Sequence, residues 1–290
     1  MTQATGGYVF GFDFAQVWRV GSSCYAMGTE TDPENVANGT TTSAYLIRDP
    51  QTSGIPQISR ENVTITGGNT VQAAHMFGAA SIDPFTFEMG KLDAALAALM
   101  TGTSVDQTTN AYWSEFGYNE HKATLPRVGI MFSTVFQQTG ADCDGATKWL
   151  NIIFPICQAS PQWPAVAERT GPPSSFQIQP TFTTKRPNGD AFDSNLGFDN
   201  NKAYVYGTIS EDGPIGITTH VADTSDTTYI TGYRPLSTTV TVNNTPNHQT
   251  KDGVPTAATS VVTTTGVVTI PSATAAQVYV MMYETAFVAI

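Results

Sequence analysis

Val128-Gly129-Ile130-Met131-Phe132-Ser133-Thr134-Val135-Phe136-Gln137 is the stretch that decides the fold class, together with Trp149-Leu150-Asn151-Ile152-Ile153-Phe154-Pro155-Ile156. Both runs are dense in β-branched and aromatic side chains, which suit a pleated and partly buried surface. Asp142-Cys143-Asp144-Gly145 lies between them and carries a turn signal. Two short apolar runs separated by turn residues read as strands with buried faces.

Working outward, the same period recurs. Tyr8, Phe10, Phe12 and Phe14 alternate and predict one half-buried strand over 8–14. Gly28 to Thr42 is polar and aperiodic, a loop, and a short strand is expected over Ser43 to Arg48. Glu61 to Thr66 reads as a strand closed by Gly67-Gly68-Asn69. On the C-terminal side, Pro161, Pro164, Pro172 and Pro173 make Gln158 to Ser175 a poor candidate for a sheet interior. Phe176 to Gln179 and Thr181 to Thr184 alternate again, ending at the turn Arg186-Pro187-Asn188-Gly189. Ala203 to Ile209, Gly266 to Pro271 and Gln277 to Tyr283 are further strands, within a region that is rich in Thr from Val221 onward.

One helix is predicted, from about Met89 to Thr101. Leu92, Leu96 and Leu99 fall on one stripe, the alanines between them favour helix, and Gly102 suits a left-handed cap. Its expected length is three to four turns, roughly 18–20 Å. The stripe is narrow, so the helix is expected to lie on one face of a sheet. With no internal repeat and no linker, residues 1–290 read as a single elaborated domain. A separate β module over 222–290 is the alternative.

Composition narrows the function. Charged residues are 13% of the chain and the net charge is −11. A nucleic-acid binder carries the opposite sign, because affinity rests on Lys and Arg displacing counterions from phosphates. Low charge with many β-forming residues suggests a surface destined for burial against other protein. Three cysteines, Cys24, Cys143 and Cys157, rule out a disulfide framework. No basic-then-apolar leader and no long apolar run is seen, so neither a secretion signal nor a membrane span is expected.

No catalytic constellation emerges. His75, His121, His220 and His248 are scattered. Cys143 lies between Asp142 and Asp144, whose charges would raise its pKa and disfavour the thiolate. Asp142 to Gly145 has the flavour of a calcium loop, but Ala146 and Ile153 occupy positions that need oxygen ligands. Glu115 sits among Trp113, Phe116 and Tyr118, which reads as an aromatic docking loop or as a sugar shelf. The expectation is a non-enzymatic scaffold with no catalytic, metal or cofactor site.

The stretch from Gly78 to Gly102, with Asp83-Pro84-Phe85 leading into Leu92-Asp93 and a closing Gly102, resembles the major tail proteins of long-tailed, siphovirus-like bacteriophages. Gln179 to Gly189 and the closing strand pair from Thr265 to Tyr283 are similar in style. The resemblance implies a mainly β fold, a sandwich or barrel of the tail-tube type flanked by one principal helix, with long loops. It also implies a virion structural protein, made in the host cytoplasm. Copies would assemble into stacked, hexameric rings, forming a hollow tube that meets a tape-measure protein and tail-tip or terminator proteins. Double-stranded DNA would pass without specific binding, and no membrane partner is implied. An acid-lined bore would repel phosphates; Glu30, Asp32 and Glu34, with Glu211 and Asp212, are candidates for that lining. A coat or decoration protein and a carbohydrate-binding β protein are the alternatives.

Overall fold

A computed structural model describes residues 7–9, 11–22, 24–30, 32–48, 50–52, 58–67, 70–89, 93–102, 126–138, 147–162, 174–180, 205–238, 248–252 and 254–290. The strands in chain order begin with β1 (Gly7–Val9), β2 (Phe14–Arg19), β3 (Thr40–Ser43), β4 (Tyr45–Arg48) and β5 (Gln51–Thr52). Next come β6 (Ile58–Gly67), β7 (Thr70–Ile82), β8 (Phe85–Met89), helix α1 (Ala94–Thr101), β9 (Arg127–Gln138) and β10 (Thr147–Gln162). After these follow β11 (Ser174–Pro180), β12 (Tyr206–Ser210), β13 (Ile215–Val221), β14 (Thr228–Ile230) and β15 (Tyr233–Pro235). The chain finishes with β16 (His248–Lys251), β17 (Val254–Pro255), β18 (Ser260–Val262), β19 (Val267–Thr269) and β20 (Val278–Ala289). The protein is mainly β, with one helix among the described residues.

A nine-stranded sheet runs β4-β2-β9-β10-β11-β8-β5, with β1 also on β9 and β12 also on β10. A six-stranded sheet runs β17-β16-β20-β13-β3, with β15 also on β20. The strands β14-β19-β18 form a third sheet, and β6-β7 form a separate hairpin closing between Gly67 and Thr70. Among the described residues every pairing in the two large sheets is antiparallel, and side chains alternate between faces along each strand.

That alternation builds layers. On β9, Val128, Ile130 and Phe132 face a core shared with α1, while Met131 faces the opposite core. On β2, Ala15 and Val17 join the first core and Trp18 the second. The second core is completed by Ile215, Ile217, Val280 and Met282 of the six-stranded sheet. On β20, Tyr279, Met281 and Tyr283 point the other way and meet Tyr229, Val261 and Val268 of the small sheet. The order is therefore helix, nine-stranded sheet, six-stranded sheet, small sheet. The six-stranded sheet is covered on both faces, and β13 within it is buried throughout, its polar Thr218, Thr219 and His220 included.

The two founding runs form strands as expected, and β10 sits between β9 and the pair β11 and β12. Several expectations are corrected. The strand over 8–14 is broken at Gly11, whose φ of 47° turns the chain. Phe12 then packs on Phe132 while Phe14 reaches Trp149 and Phe287, so they do not share a face. Asp13 fills the gap, its carboxylate accepting the Val135 N–H at 3.0 Å. The strand over Ser43 to Arg48 is split at buried Ala44, which sends β3 and β4 into different sheets.

The helix spans Ala94–Thr101, shorter than predicted, because Met89 belongs to β8. Asp93 caps its start by accepting from the Ala95 and Leu96 N–H groups, and Gly102 ends it at φ 75°. Leu96 through Thr101 are all buried. The small alanines let both the stripe and its flanks pack, so more of the helix is buried than the narrow stripe implied, while it lies on one face of the nine-stranded sheet as expected. Within the proline-rich run, of which residues 163–173 lie outside the described residues, β10 extends through Pro161 to Gln162, paired beyond Gln158 with β11. Pro155 sits in the register shift between Phe154 and Cys157, and Pro161 pairs with Phe176 beyond the end of the β9 ladder. A bulge and a strand end are the places where a missing N–H is tolerated.

Residues 222–290 share the second core with the N-terminal strands through Val280 and Met282. The β13 strand, which precedes them, lies between β20 and β3 in one sheet. Tyr112 to Tyr118 with Glu115, Asp142 to Asp144 with Cys143, Leu92, His121 and Thr181 to Gly189 lie outside the described residues. No helix among the described residues is long and apolar enough to cross a membrane.

Candidate functional site

The polar groups concentrate where β13 meets its neighbours. Its first half has no β3 partner, since the β3 ladder covers only Thr218 to Val221. Side chains take over the free backbone groups. Gln16 donates through Nε2 to the Ile215 carbonyl and accepts the Ile217 N–H at 3.3 Å. Asn151 accepts the Ile215 N–H at 3.3 Å and the Ser133 hydroxyl at 2.7 Å, and donates to Ser210 Oγ at 2.9 Å. Ser210 in turn donates to the Gly213 carbonyl at 2.5 Å. These buried polar residues join the two large sheets, because an unsatisfied backbone group there would be costly.

Farther along β13, His220 is 3% exposed and its ring stacks on Tyr229 with centroids 5.2 Å apart. Its Nδ1 lies 2.8 Å from Thr41 Oγ1 and its Nε2 lies 3.0 Å from Asp226 Oδ2. A neutral ring protonated at Nε2 satisfies both: it donates to Asp226 and accepts from Thr41. The Asp223 N–H donates to the same Asp226 oxygen at 2.6 Å. That bond first holds the Asp226 carboxyl below its ordinary pKa; burial opposes it, and the hydrogen bond and charge of His220 add to the lowering. Hydroxyl, imidazole and carboxylate are thus in line. The ring is sealed, so the trio pins the edge strand β3 to the turn over 223–226.

Arg19 is 3% exposed and donates through Nη2 to the Ala98 carbonyl at 3.1 Å, placing a cation at the C-terminal end of α1. Burial lowers its pKa to about 10. Cys24 and Cys157 are buried and form no disulfide among the described residues, and burial pushes the Cys157 thiol far above its usual range. Among the described residues no group of three His, Cys, Asp or Glu is placed to hold a metal ion.

Of the acids named as candidates for a bore lining, Asp32, Glu34 and Glu211 make side-chain bonds within this chain. Asp32 accepts from Asn35 at 2.9 Å and Glu34 accepts the Ser22 N–H at 2.6 Å. Glu211 pairs with Lys148 at 3.1 Å, and its N–H donates to Glu284 at 2.8 Å. His220 meets its partners only through the fold, since Thr41 is 179 residues away. Gln16 and Asn151 carry a signal in the sequence: a lone amide inside an apolar strand is a polar group that must find partners.

The outer face of the small sheet carries one apolar row, Ile230 opposite Val267 opposite Val262. Ile230 is 55% exposed and Val262 42%, and Ile290, 48% exposed, lies over neighbouring Gly266. No protein-family model, curated protein or solved structure matches the chain.

Proposed function

We propose that this chain is a structural subunit that assembles with copies of itself into stacked rings, forming a hollow tube of the phage-tail kind through which DNA passes. The observation that carries this reading is the segment from Phe85 to Gly102. Strand β8 precedes a helix capped by Asp93 and Gly102 and laid against β10 and β2. That strand-then-helix unit beside a sheet is what the sequence resemblance implies.

Two further features support it. The chain is poor in charge, at 13%, and leaves apolar side chains such as Ile230 and Ile290 exposed, as a surface bound for burial between subunits does. The net charge of −11 suits a conduit for duplex DNA, since like charge keeps phosphates from sticking. Its partners on this reading are further copies, a tape-measure protein and tail-tip or terminator proteins.

Negative-stain microscopy of the purified protein tests the reading. Rings or tubes of uniform bore are expected. A monodisperse monomer at every concentration, including with tail-tip and tape-measure proteins added, overturns it.

A further inference from the structure

We infer that the core between the six-stranded sheet and the small sheet contains a sealed hydration site, in which one or two ordered waters bridge the Tyr229 hydroxyl and the Gln249 side-chain amide. Three buried polar atoms point to it. Tyr229 Oη, Gln249 Nε2 and Gln249 Oε1 are shut off from solvent, and none has a hydrogen-bond partner among the described residues. Gln249 is 0% exposed and Tyr229 3%.

The register places these atoms in one layer. Gln249 on β16 stands opposite Met281 on β20, and directly opposed residues share a face. That face meets the small sheet, where Met281 packs with Tyr279, Tyr283 and Tyr229. The next residue, Thr250, stands opposite Val280 and faces the other core. Tyr229 points inward from β14 and stacks on His220, itself opposite Tyr279. The phenols of Tyr279 and Tyr283 both act on that of Tyr229, and they flank Met281 at two residues on either side. The Tyr229 phenol therefore lies over β20, with the Gln249 amide on the adjoining strand.

Neighbouring groups have other partners. The Tyr279 hydroxyl donates to Gln277 Oε1 at 3.2 Å. The Tyr283 hydroxyl lies 2.9 Å from Thr218 Oγ1 and accepts the Tyr233 N–H at 3.3 Å. Gln249 is also fixed in place. Its carbonyl accepts the Thr256 N–H at 2.8 Å, and β20 pairs with β16 along the other edge. A direct bond from Gln249 to Tyr229 would still leave one amide atom unpaired, at the cost that a buried polar group without a partner carries.

The chemistry of the three atoms selects the occupant. Burial first, and the Tyr283 and Tyr279 phenols after it, keep the Tyr229 hydroxyl protonated well beyond its ordinary range. It thus offers a proton and accepts one, and the neutral amide does the same through its two ends. With neither group charged, no ion is called for. Water both donates and accepts, and a buried water makes about three hydrogen bonds to groups of this kind. Such a bridge ties the small sheet to the six-stranded sheet through polar contacts inside an otherwise apolar layer.

A density map of the wild-type chain, at a resolution that shows ordered water, tests the site together with a double-mutant cycle of Gln249→Leu and Tyr229→Phe read by urea unfolding. A peak is expected about 2.7–3.2 Å from Tyr229 Oη and linked by similar distances to the Gln249 amide. In the cycle, the two single effects on the unfolding equilibrium constant are expected to multiply to about tenfold more than the double variant shows, because each single leaves the same water short of a partner. Well-ordered density with no peak overturns the site, even where the cycle couples through a direct bond. A peak with fully multiplicative effects overturns it too, since that water would not join the two residues. Should a variant not fold, the wild-type density decides. Neither readout depends on whether copies assemble, so failure here leaves the self-assembly reading standing.

Discussion

Gly129 stands opposite Trp18 in the ladder between β2 and β9, and the indole lies directly over it. A Cβ at position 129 would come within 2.1 Å of the ring. Trp18 is fully buried between the two large sheets, so the ring has nowhere to go. Gly129→Ala is expected to cost about 1–3 kcal/mol by overpacking, read as a lower urea midpoint with an unchanged slope. Glu284 is a second residue whose setting sets a sign. Burial first, and the nearby Asp212 and Glu211 charges less strongly, hold its carboxyl above the ordinary value against the lowering effect of the Glu211 and Asp212 N–H bonds. A carboxyl raised on folding binds more protons in the native state, so its contribution to stability falls as pH rises from the unfolded to the folded pKa. Glu284→Gln keeps an oxygen for the Glu211 N–H and removes that loss. The variant is expected to gain stability relative to wild type as pH rises above about 4.5, the ordinary carboxyl value, in thermal melts between pH 4 and 7. An unchanged difference across that range counts against the assignment.

At the scale of elements, the helix shows how caps outweigh pattern. Its alanines and leucines predict helix, and Gly102 marks its end, yet the start could not be placed from spacing. Asp93 decides it, accepting two N–H groups and also the Tyr45 hydroxyl. The Tyr45 hydroxyl is pushed well above its usual range, by burial first and by this bond second. Asp93→Ala is expected to cost about 1–2 kcal/mol and to lower helical signal near 222 nm only slightly, because packing holds the turn. A loss within error of zero would show that the cap is dispensable. The β3–β4 run makes the complementary point. Its alternation predicts a strand, and a strand forms, but the bend at Ala44 that divides it between sheets follows from the bond to Ile217, a residue far along the chain.

For the whole molecule, the deciding feature is that β20 belongs to two cores. Its Val280 and Met282 fill the space beneath Trp18 and Met131, while Tyr279, Met281 and Tyr283 anchor the small sheet. Each buried aliphatic side chain of this kind contributes about 1.5–3 kcal/mol. A fragment ending at Val221 would expose the inner face of the nine-stranded sheet and leave β13 without its long partner. It is expected to lose near-ultraviolet dichroism and to aggregate. A soluble fragment with a dispersed amide spectrum would instead mean that 222–290 is a separable module. The Thr-rich region earns its place through the same strand: Thr228, Thr269 and Ser260 form an outward row, with Tyr229, Val268 and Val261 turned inward beside them.

The mainly β class, the founding strands β9 and β10, the alternation of β11 and the glycine cap of α1 were legible in the sequence, because each rests on neighbours within a few residues. The period of two and the conformational freedom of glycine are local properties of the chain. The stacking order, the break at Gly11, the sheet switch at Ala44, the amide bridges of Gln16 and Asn151 and the partners of His220 were decided only by tertiary structure. Each depends on which distant backbone group is left without a partner, and no local pattern carries that information. A strand's own residues say that it pairs; its place in the stack says which of its edges stays open.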